Sequence, residues 1–210
     1  MNSEIETFFQ KRPTPEIARD LLGRTLTYET ENGLVGGIIV ETEAYVGPKD
    51  RAAHSYGGRR SPANEGLYCP GGSLYIYSQR QYFFLDIATQ EKDNPEGVLI
   101  RAIEPTIGVE IMESNRAKTG FDLTNGPGKM MQAFGVKDRS ADLQFLADSP
   151  FSIDLGTKKE ATKIVASKRI GINLSDETWA NAKLRFYVAG NPYVSQMKKR
   201  DYDLNSFGWQ

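Results

Sequence analysis

The first clear pattern along the chain is alternation of apolar and polar positions between residues 24 and 46, "RTLTYETENGLVGGIIVETEAYV". It predicts two β-strands joined at Asn32-Gly33, a dipeptide favoured in tight hairpin turns. On the second strand Ile38, Val40, Thr42, Ala44 and Val46 fall on one face and Ile39, Glu41, Glu43 and Tyr45 on the other. Further on, residues 73–88 read as two more strands around a polar tip at Ser78 to Gln81. "GVLIRAIEP" (97–105) reads as another, with Arg101 inside an apolar run.

The spacing predicts an amphipathic helix from Ile107 to Ala117 and a loop running into a short helix over residues 124–136. "KIVASKRIGIN" and "LRFYVAG" supply the last strands. Near the start, Thr14-Pro15-Glu16 has the form of a helix opening, with Thr14 as N-cap and Gly23 as terminator. The polar tail beyond Lys198 is expected to be loosely held. Hairpin-joined strands with helices gathered between them make this an α+β chain with a mostly antiparallel sheet.

Between the second and third strands lie residues 47–72, rich in Gly, Pro, Arg and Asn. Loops of this length inside compact domains are functional or disordered. No repeat or linker divides the 210 residues, so one domain is expected. The composition, 39% hydrophobic and 25% charged, is that of an ordinary globular protein. No apolar run approaches the ~18–20 residues that span a bilayer. The N-terminus has no signal-peptide pattern, so a cytoplasmic protein without membrane association is expected. One cysteine, Cys69, excludes an internal disulfide, and one histidine, His54, leaves too few ligands for a usual zinc site. No cofactor motif is present. A net charge of −1 gives no sign of a nucleic-acid partner.

The glycine-rich segments do not complete a P-loop: "CPGGSLY" lacks the lysine and "GPGK" the spacing. "GPGK" could still offer backbone N–H groups and Lys129 to a phosphate at a helix N-terminus. Acyl-transfer chemistry would need His54 and a nucleophile elbow, and no such elbow exists. Carboxylate chemistry remains. Glu43 beside Tyr45 on one strand face suits a pocket wall, although a solvated face on an edge strand has the same pattern. Arg101, in its apolar surroundings, requires an anionic partner. Tyr45, Tyr56, Tyr68, Tyr75, Tyr77 and Tyr82 are close enough in sequence to build an aromatic pocket for a flat ring.

Six segments in order resemble the alkyladenine (3-methyladenine) DNA glycosylase family: "VETEAYVGPKDRAAHS", "GGRRSPAN", "GGSLYIY", "VLIRAIEP", "NGPGK" and "LRFYVAGNPYVS". The resemblance runs from about Leu21 to Ser195. It implies a curved antiparallel sheet and a monomeric enzyme that excises alkylated purines from double-stranded DNA by hydrolysing the N-glycosidic bond. It also implies that the target base is flipped into a pocket lined by Tyr45, His54 and Tyr77. Glu43 would then activate water, and Arg101 would hold Glu43 and that water in place. Glu41 matches a position without that role.

Two positions depart from the family pattern. The family commonly carries a bulky aromatic at the hairpin tip after "LYIY". This chain has Ser78-Gln79-Arg80-Gln81 and is one residue shorter, with Arg80 the best positional match for a residue that enters the duplex. Arg59 and Lys129 are expected on the DNA backbone. At the pocket floor Asp86 replaces the usual asparagine. An ionised aspartate only accepts hydrogen bonds, so Asp86 is expected to favour cationic alkylpurines over neutral deaminated ones. A nucleic-acid-binding module without catalysis, similar in fold to the C-terminal domain of methionyl-tRNA formyltransferases, is the first alternative reading. A sugar or nucleoside hydrolase using Glu41 and Glu43 is a second, disfavoured because two carboxylates one step apart on a strand cannot flank a scissile bond from opposite sides.

Overall fold

The computed structural model describes residues 2–173 and 175–210. Two helices, α1 (Asn2–Gln10) and α2 (Thr14–Asp20), precede the β1 (Thr25–Thr30) and β2 (Gly33–Tyr45) hairpin. After the long loop come β3 (Leu74–Gln79), β4 (Tyr82–Thr89) and β5 (Glu96–Ile107). The helices α3 (Val109–Arg116) and α4 (Pro127–Phe134) follow. The C-terminal third adds β6 (Phe151–Ile153), β7 (Ile164–Ser167), α5 (Glu177–Ala180) and β8 (Arg185–Val188). The strands form one strongly curled antiparallel sheet in the order β3-β4-β5-β2-β1-β6, and the fold is α+β as the alternation predicts.

β2 is central rather than an edge. β5 pairs with it on one side; on the other, β1 pairs with its first half and β8 with Glu41 to Glu43. The change of neighbour excludes a solvated face, and Glu41, Thr42 and Glu43 are all fully buried. Simple alternation also breaks down here. Ile39 pairs with Ile103, Glu41 with Ala102 and Thr42 with Ile100, so Val40 and Arg101 are each bulged out of register. Gly37 is needed at an earlier irregularity, because a Cβ there would lie 2.1 Å from the Glu104 carbonyl oxygen.

Several sequence expectations need correction. The first hairpin turns at Glu31-Asn32, one residue early: Thr30 pairs with Gly33, which takes the positive φ of 123°. Thr14 does not cap α2. Its hydroxyl lies 2.7 Å from that of Thr89 and donates to Glu96 Oε2 at 2.6 Å. The 163–173 segment is a strand only over Ile164–Ser167. The tail is docked, not loose: Trp209 is buried and its indole N–H donates to Glu104 Oε2 at 2.7 Å. Its large apolar ring gives the otherwise polar segment a reason to pack.

The main core lies between the sheet and the helices, with Phe9, Ile17, Leu26, Ile39, Phe134 and Phe151 fully or almost fully buried. The 47–72 loop is ordered by three 3₁₀ turns and by Asn64, whose side chain donates to the carbonyls of His54 and Arg59.

Candidate active site

Cross-strand register assembles the site. Glu43 on β2 is opposite Leu99 on β5, Leu99 opposite Asp86 on β4, and Asp86 opposite Tyr75 on β3. Directly opposed residues share a face, so a carboxylate, a leucine, a second carboxyl and a tyrosine form one row across four strands. Tyr77 and Phe84, stacked at 5.2 Å, continue it toward the hairpin tip. Above the row is a cavity of about 320 Å³ lined by Tyr45, His54, Tyr77, Asp86, Leu99 and Arg101, among others. That volume is at the small end for a ligand pocket.

Beneath the cavity is a buried charge cluster. Glu41 accepts from Arg101 Nε (2.9 Å), Arg185 Nε (2.6 Å), the Ser195 amide (2.7 Å) and the Ser195 hydroxyl (2.8 Å). Burial pushes its pKa up, but the guanidiniums of Arg101 and Arg185 and the Ser195 N–H outweigh this and hold it below the ordinary value. Glu41 is therefore a saturated counter-ion.

Glu43 is in a different state. Its Oε1 accepts from the Ile170 amide at 2.7 Å. Its Oε2 accepts from the Tyr45 hydroxyl at 3.0 Å and lies 3.2 Å from Arg101 Nη1. Burial raises its pKa and the Glu41 charge adds to the rise. The opposing Arg101, Ile170 and Tyr45 contacts do not cancel them, so Glu43 is more basic than an ordinary glutamate. Arg101 thus bridges both carboxylates, and their charges outweigh the burial that disfavours its own.

The structure brings Glu43, Tyr45, His54, Tyr77, Asp86 and Arg101 together. His54 is exposed at the cavity mouth, with Nδ1 2.7 Å from the Tyr75 hydroxyl and its ring edge-on to Tyr77 at 4.7 Å. Shielding by its surroundings, then the Arg59 charge, lower its pKa and favour the neutral imidazole. Tyr75 faces the same side as Tyr77 by the two-residue strand period, so its part was open to sequence reasoning.

Asp86 lines the cavity. It is buried, and its Oδ1 has no hydrogen-bond partner. Burial and the Glu43 charge push its pKa well above the ordinary aspartate value. Both effects favour the protonated form more than in an ordinary aspartate.

Sequence reasoning missed the C-terminal contributors. Arg169 donates to both Asp50 oxygens, at 2.6 and 2.8 Å, and to the Ala44 carbonyl, with its guanidinium 4.6 Å from the Tyr45 ring centroid. This brace lays residues 170–172 along the cavity. No local pattern marks Arg169, Arg185 or Ser195, since each acts on partners over 90 residues away. Of the residues expected on DNA, Arg59 and Arg80 are exposed. Lys129 is tied to Asp122 and to Asn125 Oδ1. Among the described residues no three His, Cys, Asp or Glu side chains cluster as a metal site.

A curled antiparallel sheet carrying a buried, arginine-held carboxylate beneath an aromatic pocket defines a candidate base-binding hydrolase. The model of the family described as methylpurine-DNA glycosylase matches residues 7–192, and the chain belongs to that family. Three relatives are each named "Putative 3-methyladenine DNA glycosylase". One from Lactobacillus johnsonii is 64% identical over 94% of this chain and 96% of its own length. One from Lactobacillus helveticus is 62% identical over 96% and 97%. One from Staphylococcus saprophyticus is 47% identical over 96% and 98%.

Proposed function

We propose that the protein is a monofunctional DNA glycosylase. It hydrolyses the N-glycosidic bond of an alkylated purine flipped out of duplex DNA and leaves an intact abasic site. Glu43 is the general base, and the observation that carries this is its contrast with Glu41. One buried carboxylate is saturated by cations; its neighbour has three donors and a raised pKa. A carboxylate has about four acceptor sites, so Glu43 retains capacity for one water.

Glycosidic cleavage builds positive charge on the sugar, which a carboxylate stabilises while it deprotonates water attacking C1′. Arg101, anchored by Glu41 and reaching Ser195 Oγ at 3.3 Å, fixes Glu43 from the other side. Glu43 itself has no accessible surface. Arrival of the base therefore has to shift the Tyr45 hydroxyl or residues 170–172 before water can reach the carboxylate. The flat purine packs among Tyr45, Tyr77 and the neutral His54. Among the described residues no lysine lines the cavity, which favours water over an amine as nucleophile. Arg80 at the hairpin tip enters or flanks the duplex, with Arg59 on the backbone. A binding-only role leaves the buried Glu43–Arg101 pair without a purpose.

Glu43→Gln should lower release of alkylated adenine from duplex DNA by at least a hundredfold while binding to an abasic-site duplex persists. Near wild-type release by Glu43→Gln would refute the assignment.

A further inference from the structure

Asp86 stands apart from the other buried acids. Glu41 and Asp50 each have an arginine partner, and Glu104 accepts from Asn191 and Trp209 at 2.7 Å. Asp86 is 4% exposed, and its buried Oδ1 has no hydrogen-bond partner among the described residues. It nevertheless lines the cavity. The groups around it are Glu43 and Tyr45 on β2, Tyr75 and Tyr77 on β3, and Leu99 and Arg101 on β5, with Leu67 and His54 from the loop. Of the charged ones, Arg101 is engaged by Glu41 and Glu43, and Glu43 repels a second anion.

An unpaired carboxylate in such a site is strongly disfavoured, whereas a carboxylic acid is a modest polar group. The acid also presents an O–H donor and a C=O acceptor side by side, the same pair that an asparagine amide presents. Resting on the glycosylase reading above, we propose that Asp86 works as a neutral acid, donating and accepting hydrogen bonds on the edge of the bound purine. Substrate choice then follows protonation. A neutral Asp86 can donate to the O6 of hypoxanthine and gives a cationic alkylpurine no special advantage. An ionised Asp86 loses the donor and repels O6, but attracts the cation.

The test is single-turnover excision of hypoxanthine and of 7-methylguanine from duplexes of one sequence, across pH, by wild type and Asp86→Asn. Glu43 and His54 titrate in both proteins, so the wild-type-to-variant quotient removes their own titration and leaves that of Asp86 with its coupling to Glu43. For hypoxanthine the quotient should be flat at low pH and fall by about tenfold per pH unit above the Asp86 midpoint. Asp86→Asn raising hypoxanthine excision by tenfold or more at every pH would overturn the proposal, as would a wild type that releases 7-methylguanine but no hypoxanthine at any pH. Release of neither base, with alkylated adenine also retained in the duplex, would instead refute the glycosylase reading, and release of alkylated adenine alone would overturn the proposal. Carbon-13 NMR of the Asp86 carboxyl, assigned by its loss in Asp86→Asn, reads the protonation without any turnover. A midpoint well above the usual aspartate range supports the proposal, and one within that range overturns it.

Discussion

Replacing Glu41 by glutamine removes a negative charge from the centre of the buried cluster while keeping its shape. In the wild type the Glu41 side chain is wholly enclosed, and the Arg101 and Arg185 side chains are only 7% and 10% exposed. After the substitution Arg101 keeps only Glu43 as a carboxylate partner, and the desolvated Arg185 guanidinium has none. Breaking a buried pair in this way costs about 3–5 kcal/mol. For a protein of this size that corresponds to a fall in Tm of roughly 6–20 °C, measurable by tryptophan fluorescence or circular dichroism.

The pH dependence of that difference has a definite sign. The Glu41 pKa is lower in the folded state than the ordinary glutamate value, so its stabilisation is present above that ordinary value and is lost as pH falls through the folded one. The gap between wild type and Glu41→Gln should close in acid. Surviving folded variant reports on Glu43 as well. Without the Glu41 charge, and with Arg101 freer to pair with it, Glu43 becomes less basic. The acid limb of base release should therefore move to lower pH. A Tm change under about 2 °C, or an acid limb that moves upward, would refute the account of the cluster.

Arg80→Ala should weaken duplex binding and lower the slope of log K against log salt by about 0.9 if the arginine neutralises one phosphate. An unchanged slope with unchanged flipping, read by 2-aminopurine fluorescence beside the lesion, would exclude Arg80 from the interface. Trp209→Ala should destabilise the fold by about 3–5 kcal/mol, because it opens a cavity and removes a donor from Glu104. A shift below about 1 kcal/mol in urea would mean that the tail contributes little.

The parts of this protein that could be read from sequence are those governed by nearby residues. The two-residue period around Glu43, Tyr45, Tyr75 and Tyr77 places side chains on faces without knowledge of the partner strand. The tight hairpin at Arg80-Gln81, with φ of 51° and 74°, is likewise a local matter. Burial of β2 on both faces was not readable, because it depends on β8 arriving 144 residues later to set Arg185 against Glu41. The paired bulges at Val40 and Arg101 depend on two strands at once. The docked tail was misjudged because its charged residues mask one tryptophan that finds a buried acceptor. Asp86 could be located by register, but the rise in its pKa comes first from burial and then from the Glu43 charge two strands away, and neither is local.

The span of the Glu41 contacts also bears on biosynthesis. The amide and hydroxyl of Ser195 that close the cluster follow Glu41 by 154 residues. At about 5–20 residues per second, a ribosome needs roughly 8–30 s to cover that interval. Throughout it the nascent β2 carries two acidic side chains whose final cationic partners are only partly made, and water remains their better environment. The hairpin and its long loop can form early, but β2 cannot be sealed as a central strand until β8 emerges. A chain interrupted before Arg169 would hold Glu43, Tyr45, His54 and Tyr77 yet lack the brace that shapes the cavity around them. Catalytic competence is thus withheld until Ser195 has been made, and products terminated before it should be inert toward the genome.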